Sequence, residues 1–425
     1  MKWRIKKSRL AGTIDIPASK SHTIRAMLVA TLANGTSHIA NVLTTGDGAS
    51  AIGAAASMGA LVSVSGPEVT VQGIAGTYDL GSDDFNMENS GTSTNLFASA
   101  AALGSRMRRF DGDSSLRTRP FKPVLAALKN LGAEYALMSN SSDLPFTIKG
   151  PIRGGRTMVD GVSSQFVSSL LFACPSAAQD TAIDVVNLHE RPYVEMTLHW
   201  LDRLGIRCDA SPDRTAFKVR GGQHYPSIEY TVPGDFSSAT FAAVAAPLTG
   251  SVVTLRGLDF SDPQGDKGVF DILARMGVLV DKSVSGTVVN GTNKIQGCVI
   301  DLNAMPDSLP ALSVLGCIAD GETRITNVAQ ARIKETDRIA VMTQELAKLG
   351  ADVREETAGI LIRPRRLVGA QVNGHGDHRV VMALALAGMV AEGETIVDTA
   401  EAASVTYPTF LDDFKRLGAD IEEIR

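Results

Sequence analysis

The densest charge run in the 425-residue chain is Arg332-Ile-Lys334-Glu335-Thr-Asp337-Arg338, with three cations and two carboxylates in seven residues. Lys334 and Arg338 stand four apart, a spacing that places like charges together on a helix. The run therefore reads as a site rather than a solvated face. Six apolar segments also open on short polar phrases: Ser19-Lys20-Ser21, Asn89-Ser90-Gly91-Thr92, Ser163-Ser164-Gln165, Gly234-Asp235 with Ser237-Ser238, Pro306-Asp307-Ser308 and Asp377-His378-Arg379. Ser, Asp and Asn are preferred N-caps, so each phrase predicts a helix start. The free N–H groups and positive dipole end of a helix start favour anions. Lys20, Arg25, Arg119, Lys334, Arg338 and Arg379 lie at or near these starts. Such a set suits a small ligand carrying several phosphate or carboxylate charges. His378 reads equally well as a capping or core residue and is left outside the catalytic set.

The elements that position these residues follow from an internal period. An apolar-Gly-apolar phrase closes an amphipathic segment six times, with its glycines at 59, 132, 205, 277, 350 and 418, which are 73, 73, 72, 73 and 68 residues apart by subtraction. Glycine there reads as the C′ residue of a helix. Each unit of about 72 residues also holds an almost uncharged segment, such as 166–173, 241–246, 311–318 or 380–390. A helix apolar all round must be buried on every side, and its amphipathic partner lies outside. The expected fold is α/β, with two pseudo-symmetric domains of three repeated units each. Helices lie within, and small sheets and outer helices surround them.

Composition narrows the function. Lys plus Arg is 41 and Asp plus Glu 46, a formal balance of −5 that argues against a nucleic-acid partner. The longest apolar run, 380–391, is far short of a membrane span, so no membrane partner is expected. The basic segment 1–10 is followed by no apolar signal core, so export is not expected. Cys174, Cys208, Cys298 and Cys317 show no C-x-x-C spacing, which argues against zinc and fits reduced thiols in the cytoplasm. No metal or organic cofactor is implied, and a monomer is expected.

Taken together, the stretches PASKSHTIRAMLVATLANGTSHIANV, ENSGTS, LRTRPF, GVSSQF, RPYVEMTL, PGDFSSATF, MPDSLPAL, ARIKETDRIAVMTQELAKLGADV and GDHRVVMALAL with TYPTF resemble the enolpyruvyl transferases. They stand in the family's order from Pro17 to Phe410. The resemblance implies one domain over 19–235 and another from 1–18 plus 236–425, with ligands in the cleft between them. It implies transfer of the enolpyruvyl group of phosphoenolpyruvate to the 5-hydroxyl of shikimate 3-phosphate. Phosphate is released after addition and elimination through a tetrahedral intermediate. That chemistry needs one acid/base group at carbon and another at the hydroxyl. By motif position Glu335 exchanges the proton at C3, Asp307 accepts the hydroxyl proton, and Lys20 holds the phosphate of phosphoenolpyruvate and assists proton transfer. Arg338 and Arg379 hold its carboxylate, with Gly91, Arg119 and Gln165 at its phosphate. Ser21, Arg25, Ser163, Ser164, Gln165, Tyr193 and Lys334 hold shikimate 3-phosphate.

Three positions depart from the family pattern. Asn95 stands where an arginine usually follows NSGTS, Glu190 where a serine meets the substrate phosphate, and Val405 where a lysine precedes TYP. Lys122, Arg191 and Arg332 are candidates to restore the missing positive charge. The departures leave open a second reading, a lyase or carboxyvinyl transferase acting on another shikimate-like cyclic alcohol. The sister activity on UDP-N-acetylglucosamine is disfavoured, because no cysteine lies between residues 90 and 170, where its reactive loop would fall.

Overall fold

A computed structural model describes residues 1–424. The described helices alternate strictly between buried and half-exposed. The buried set is α1 (Lys20–Leu32), α3 (Gly91–Ala101), α5 (Ser164–Ala173), α7 (Phe236–Leu248), α9 (Leu309–Gly316) and α11 (His378–Gly388). The outer set is α2 (Gly46–Ser57), α4 (Lys122–Asn130), α6 (Arg191–Arg203), α8 (Val269–Arg275), α10 (Arg338–Lys348) and α12 (Phe410–Leu417). All 13 residues of α7 and all 11 of α11 are buried, as the all-round apolar character of α7 and of α11 beyond Arg379 requires. The outer helices bury one stripe only, as in α10, where Ile339, Met342 and Leu346 face inward. The periodic glycines take up their C′ role: Gly59, Gly132, Gly205, Gly277, Gly350 and Gly418 all have positive φ.

The strands form six four-stranded sheets with one shared pattern, a parallel pair continued by two antiparallel strands. In the sheet of Asp84–Asn86, the parallel neighbour is Arg108–Asp111, and α3 is the crossover between them. Three more sheets repeat this plan, with α5, α9 and α11 as crossovers. Two places are filled by the first strands of the chain. Lys2–Lys6 pairs with both Glu394–Asp398 and Ile421–Ile424, and Ala11–Asp15 pairs in parallel with Val252–Arg256.

The chain divides into two compact units, one comprising Met1–Pro17 with the chain from Pro233 onward, the other Ala18–Val232. Each has its own apolar core, centred on α7, α9 and α11 in the first and on α1, α3 and α5 in the second. Both are therefore inside-out α/β bodies, with the buried helices as the innermost layer. No described helix is long and apolar enough to cross a membrane.

Candidate active site

In the unit that contains the chain's end, the charge run and two helix starts meet on one guanidinium. Arg338 opens α10 and is fully buried. Its Nε donates to Asp377 Oδ2 at 2.8 Å and its Nη2 to Asp377 Oδ1 at 3.1 Å. Nη1 donates to Asp307 Oδ1 at 2.7 Å, and Nη2 also reaches Glu335 Oε2 at 2.6 Å. Arg379 lies 3.0 Å from the other oxygen of Asp307. Burial by itself would lower the pKa of Arg338, but Asp377, Glu335 and Asp307 outweigh it and hold the group well above its ordinary value. For Asp377, burial acts upward, yet the Arg338 charge prevails and the carboxyl sits below its ordinary value.

Asp377 does two jobs. It caps α11, accepting from Arg379 N–H at 2.9 Å, and anchors Arg338 from the adjoining element. Thr336 Oγ1 donates to the same carboxylate at 3.0 Å. Asp307 was open to reading as an N-cap as well as a base, but it lies in a single 3₁₀ turn, Pro306–Ser308, before α9, and its carboxylate spans Arg338 and Arg379. Side-chain exposure of 14% for Asp307 and 11% for Glu335 leaves both able to meet a ligand, whereas Asp377 has none.

One expectation about this region needs correction. Lys334 and Arg338 do not form a like-charged helical pair, because a 3₁₀ helix ends at Ile333 and α10 begins only at Arg338, capped by Asp337. Nor do the cations depend on an outside anion for neutralisation. Asp307, Glu335 and Asp377 supply three carboxylates around Arg338 and Arg379. Arg332, a candidate replacement cation, is engaged by Asp337 at 2.7 Å and Glu355 at 2.8 Å. Val405 closes the 3₁₀ helix Ala400–Val405 and is half-buried.

The Ala18–Val232 unit gathers its own helix starts. Ser19, Ser90 and Ser163 cap α1, α3 and α5. Lys20 Nζ pairs with Asp47 Oδ2 at 3.1 Å in the first turn of α2, and Ser93 Oγ donates to the Asp47 carbonyl at 3.4 Å. Across α3 and α5, Asn95 Nδ2 donates to Gln165 Oε1 at 3.1 Å. Arg119 is hydrogen-bonded to Asn89 and lies against Gly91, where an added Cβ would come within 2.9 Å of Arg119 Nη1. A side chain at Gly91 would push the guanidinium back from the start of α3. Gly91, Arg119, Gln165 and Lys20 thus belong to one set of neighbouring helix starts.

Arg25 is buried and ties three helices together. Its Nε donates to Thr197 Oγ1 at 3.1 Å, its Nη1 to Ser21 O at 3.0 Å, and its Nη2 to Tyr193 O at 3.1 Å and Ser168 Oγ at 3.4 Å. Ser21, Ser163, Tyr193 and Gln165 are half-buried beside it or along the same starts, as is Lys334 in the other unit. Glu190 is buried in the left-handed conformation, φ 54° and ψ 39°, and caps α5 from outside. It accepts from Ser164 Oγ at 2.7 Å and from Ser164 N–H at 3.3 Å. Arg191, the residue expected to offset it, instead binds Glu195 and the carbonyl of Pro212. Lys122 pairs with Asp143 at 3.0 Å. Asp47 and Asp377 escaped the sequence reading as site residues, since first-turn and N-cap acids carry no mark of a second, distant partner.

Comparison with known proteins identifies the family. The family profile described as EPSP synthase (3-phosphoshikimate 1-carboxyvinyltransferase) matches residues 5–414. Proteins named 3-phosphoshikimate 1-carboxyvinyltransferase include relatives from Acetivibrio thermocellus, 47% identical over 99% of both chains, and Ruminiclostridium cellulolyticum, 44% identical over 99% of both. A solved EPSP synthase from Acinetobacter baumannii superposes with a TM-score of 0.82 at 25% identity, covering 99% of each chain. From its repeats, its motifs and these likenesses alike, the chain belongs to the EPSP synthase (3-phosphoshikimate 1-carboxyvinyltransferase) family.

Proposed function

We propose that this enzyme transfers the enolpyruvyl group of phosphoenolpyruvate to the 5-hydroxyl of shikimate 3-phosphate and releases phosphate. The observation that carries the reading is the pair of partly exposed carboxylates, Asp307 and Glu335, held on one buried guanidinium. Addition of the hydroxyl to C2 of the enol requires a base at oxygen while a proton goes to C3. Elimination then returns the C3 proton to the protein and expels phosphate. Two carboxylates fixed within reach of one arginine can divide these tasks, Asp307 at the hydroxyl and Glu335 at C3.

Arg338 and Arg379 receive the carboxylate of phosphoenolpyruvate. For Arg338 this means exchanging a protein carboxylate for a substrate one, which frees Glu335 or Asp307 for proton transfer as the ligand binds. Lys20, Gly91, Arg119 and Gln165 take the phosphate, with Lys20 leaving Asp47 to do so. Ser21, Arg25, Ser163, Ser164, Gln165, Tyr193 and Lys334 hold shikimate 3-phosphate. Together these residues bring two mutually repelling anions close and screen their charge. The four cysteines are all free thiols, which supports a cytoplasmic setting, and we read the enzyme as a monomer.

The test mixes the protein with phosphoenolpyruvate and shikimate 3-phosphate and follows phosphate release and the vinyl protons by NMR. Turnover is expected, and its absence with this pair overturns the reading. In D2O, deuterium enters the product methylene of the native enzyme but not of Glu335→Gln. Undiminished exchange in that variant removes Glu335 from C3.

A further inference from the structure

Asn95 lies on α3, one turn after Gly91, and is 2% exposed. Its Nδ2 donates to the Gly91 carbonyl at 2.9 Å as well as to Gln165 Oε1. The direction of this chain of bonds is set by the backbone. A carbonyl oxygen can only accept, so the Asn95 atom facing Gly91 O must be the amide nitrogen. The second hydrogen of that nitrogen then needs an acceptor, and the Gln165 atom facing it must be the carbonyl oxygen. Gln165, itself half-buried, is left with its NH2 group turned away from Asn95.

This arrangement carries a cost. Asn95 Oδ1 is buried with no hydrogen-bond partner. The donor end is therefore the part of the Asn95 amide that is engaged, at Gly91 and at Gln165. Beside Gln165 stand Gly91 and the guanidinium of Arg119, with an added Gly91 Cβ 3.5 Å from Gln165 Oε1 and 2.9 Å from Arg119 Nη1. With the amide of Gln165 held this way, its outward group and the adjacent guanidinium of Arg119 are both donors. Turned over, Gln165 would present a carbonyl oxygen to an anion.

We propose that Asn95 is a positioning residue that locks the side-chain amide of Gln165 with its NH2 group toward the anionic ligand, making this part of the site donor-only. The proposal rests on the assignment of Gln165 to phosphoenolpyruvate made above. It gives Asn95 a role different from that of the arginine found at this place in the family pattern, orientation of a neighbour instead of direct charge.

Steady-state kinetics on the full-length enzyme with phosphoenolpyruvate as the varied substrate test it. In Asn95→Asp the nitrogen becomes an oxygen, Gln165 turns its NH2 inward, and KM for phosphoenolpyruvate rises roughly tenfold with kcat little changed, the worth of one hydrogen bond to a charged group. In a Gln165→Ala background the same substitution adds no more than about twofold, because its effect runs through Gln165. An equal rise in both backgrounds shows simple charge repulsion and overturns the proposal. Asn95→Leu is neutral and removes the orphaned oxygen. It keeps or raises the melting temperature while KM rises, whereas a purely structural role predicts lost stability with KM unmoved. If Gln165→Ala leaves KM unchanged, the assignment of Gln165 fails and the proposal with it. A rise in Gln165→Ala without one in Asn95→Asp sinks the proposal alone.

Discussion

Arg338 carries more of the site than any other side chain, because three carboxylates from three different segments close on it. Its value is relational: without it, Asp307, Glu335 and Asp377 would be acids crowded into a space with little water. Arg338→Met should lower the unfolding free energy by about 3–5 kcal/mol, the usual cost of leaving a buried ion pair half-made. Urea melts followed by circular dichroism measure it, and a loss under about 1 kcal/mol would mean the cluster is solvated. Arg338→Lys keeps the charge but not the fork. It should fold and yet lose most of kcat/KM, since an ammonium cannot serve two carboxylates and a substrate in one plane. The type and spacing of Glu335 and Arg338 were legible in the charge run. Asp377 was legible only as an N-cap, because its second partner lies 39 residues away on another helix.

At the scale of elements, α10 positions the turn that leads into α11. Glu345 on α10 is fully buried and accepts from Lys348 Nζ at 2.8 Å, from Asn373 N–H at 2.9 Å and from the His375 ring at 2.9 Å. Asn373 and His375 sit just before Asp377 and Arg379, so this carboxylate ties the outer helix to the site-bearing start of the buried one. Burial pushes its pKa upward, but Lys348, His375 and the Asn373 N–H prevail and hold it below the ordinary 4.5. The unfolded chain therefore takes up a proton there before the folded chain does. The stabilisation is present above pH 4.5 and is lost as pH falls through the lower folded value. Glu345→Gln should cost about 1–3 kcal/mol at neutral pH and flatten the decline in stability below pH 4.5. Urea midpoints taken at neutral pH and at several values below pH 4.5 decide it; parallel curves for the two proteins would reject the role. Helix identity was readable here from apolar spacing. The boundary of α10 was not, because Lys334–Asp337 has helix-compatible residues and is kept out of the helix by the Asp337 cap and the ion pairs of Arg332 and Arg338.

For the whole molecule, the two cores give a pair of internal reporters. Cys317 lies in one and Cys174 in the other, and burial pushes both thiols up to about 12. Neither should react with a thiol reagent at pH 8 in the folded protein, and both should react in denaturant. Labelling read by mass spectrometry at intermediate urea then reports the opening of each unit separately. Rapid modification of either cysteine without denaturant would contradict the packing described for its core.

The sequence by itself determined the repeat, the alternation of buried and outer helices, most of the caps of the buried helices and the types of group at their starts. These are local properties: a period of apolar residues, a glycine with positive φ and a capping oxygen are all set within a few neighbouring residues. Only the tertiary structure decided which charges meet. Arg338 takes Asp377 and Asp307 as partners, Lys20 takes Asp47, Glu190 turns onto Ser164, and Asn95 orients Gln165. Such pairings join residues far apart in the chain, and the energy of a charge or an amide depends on what burial leaves beside it. Spacing along the sequence carries no record of that.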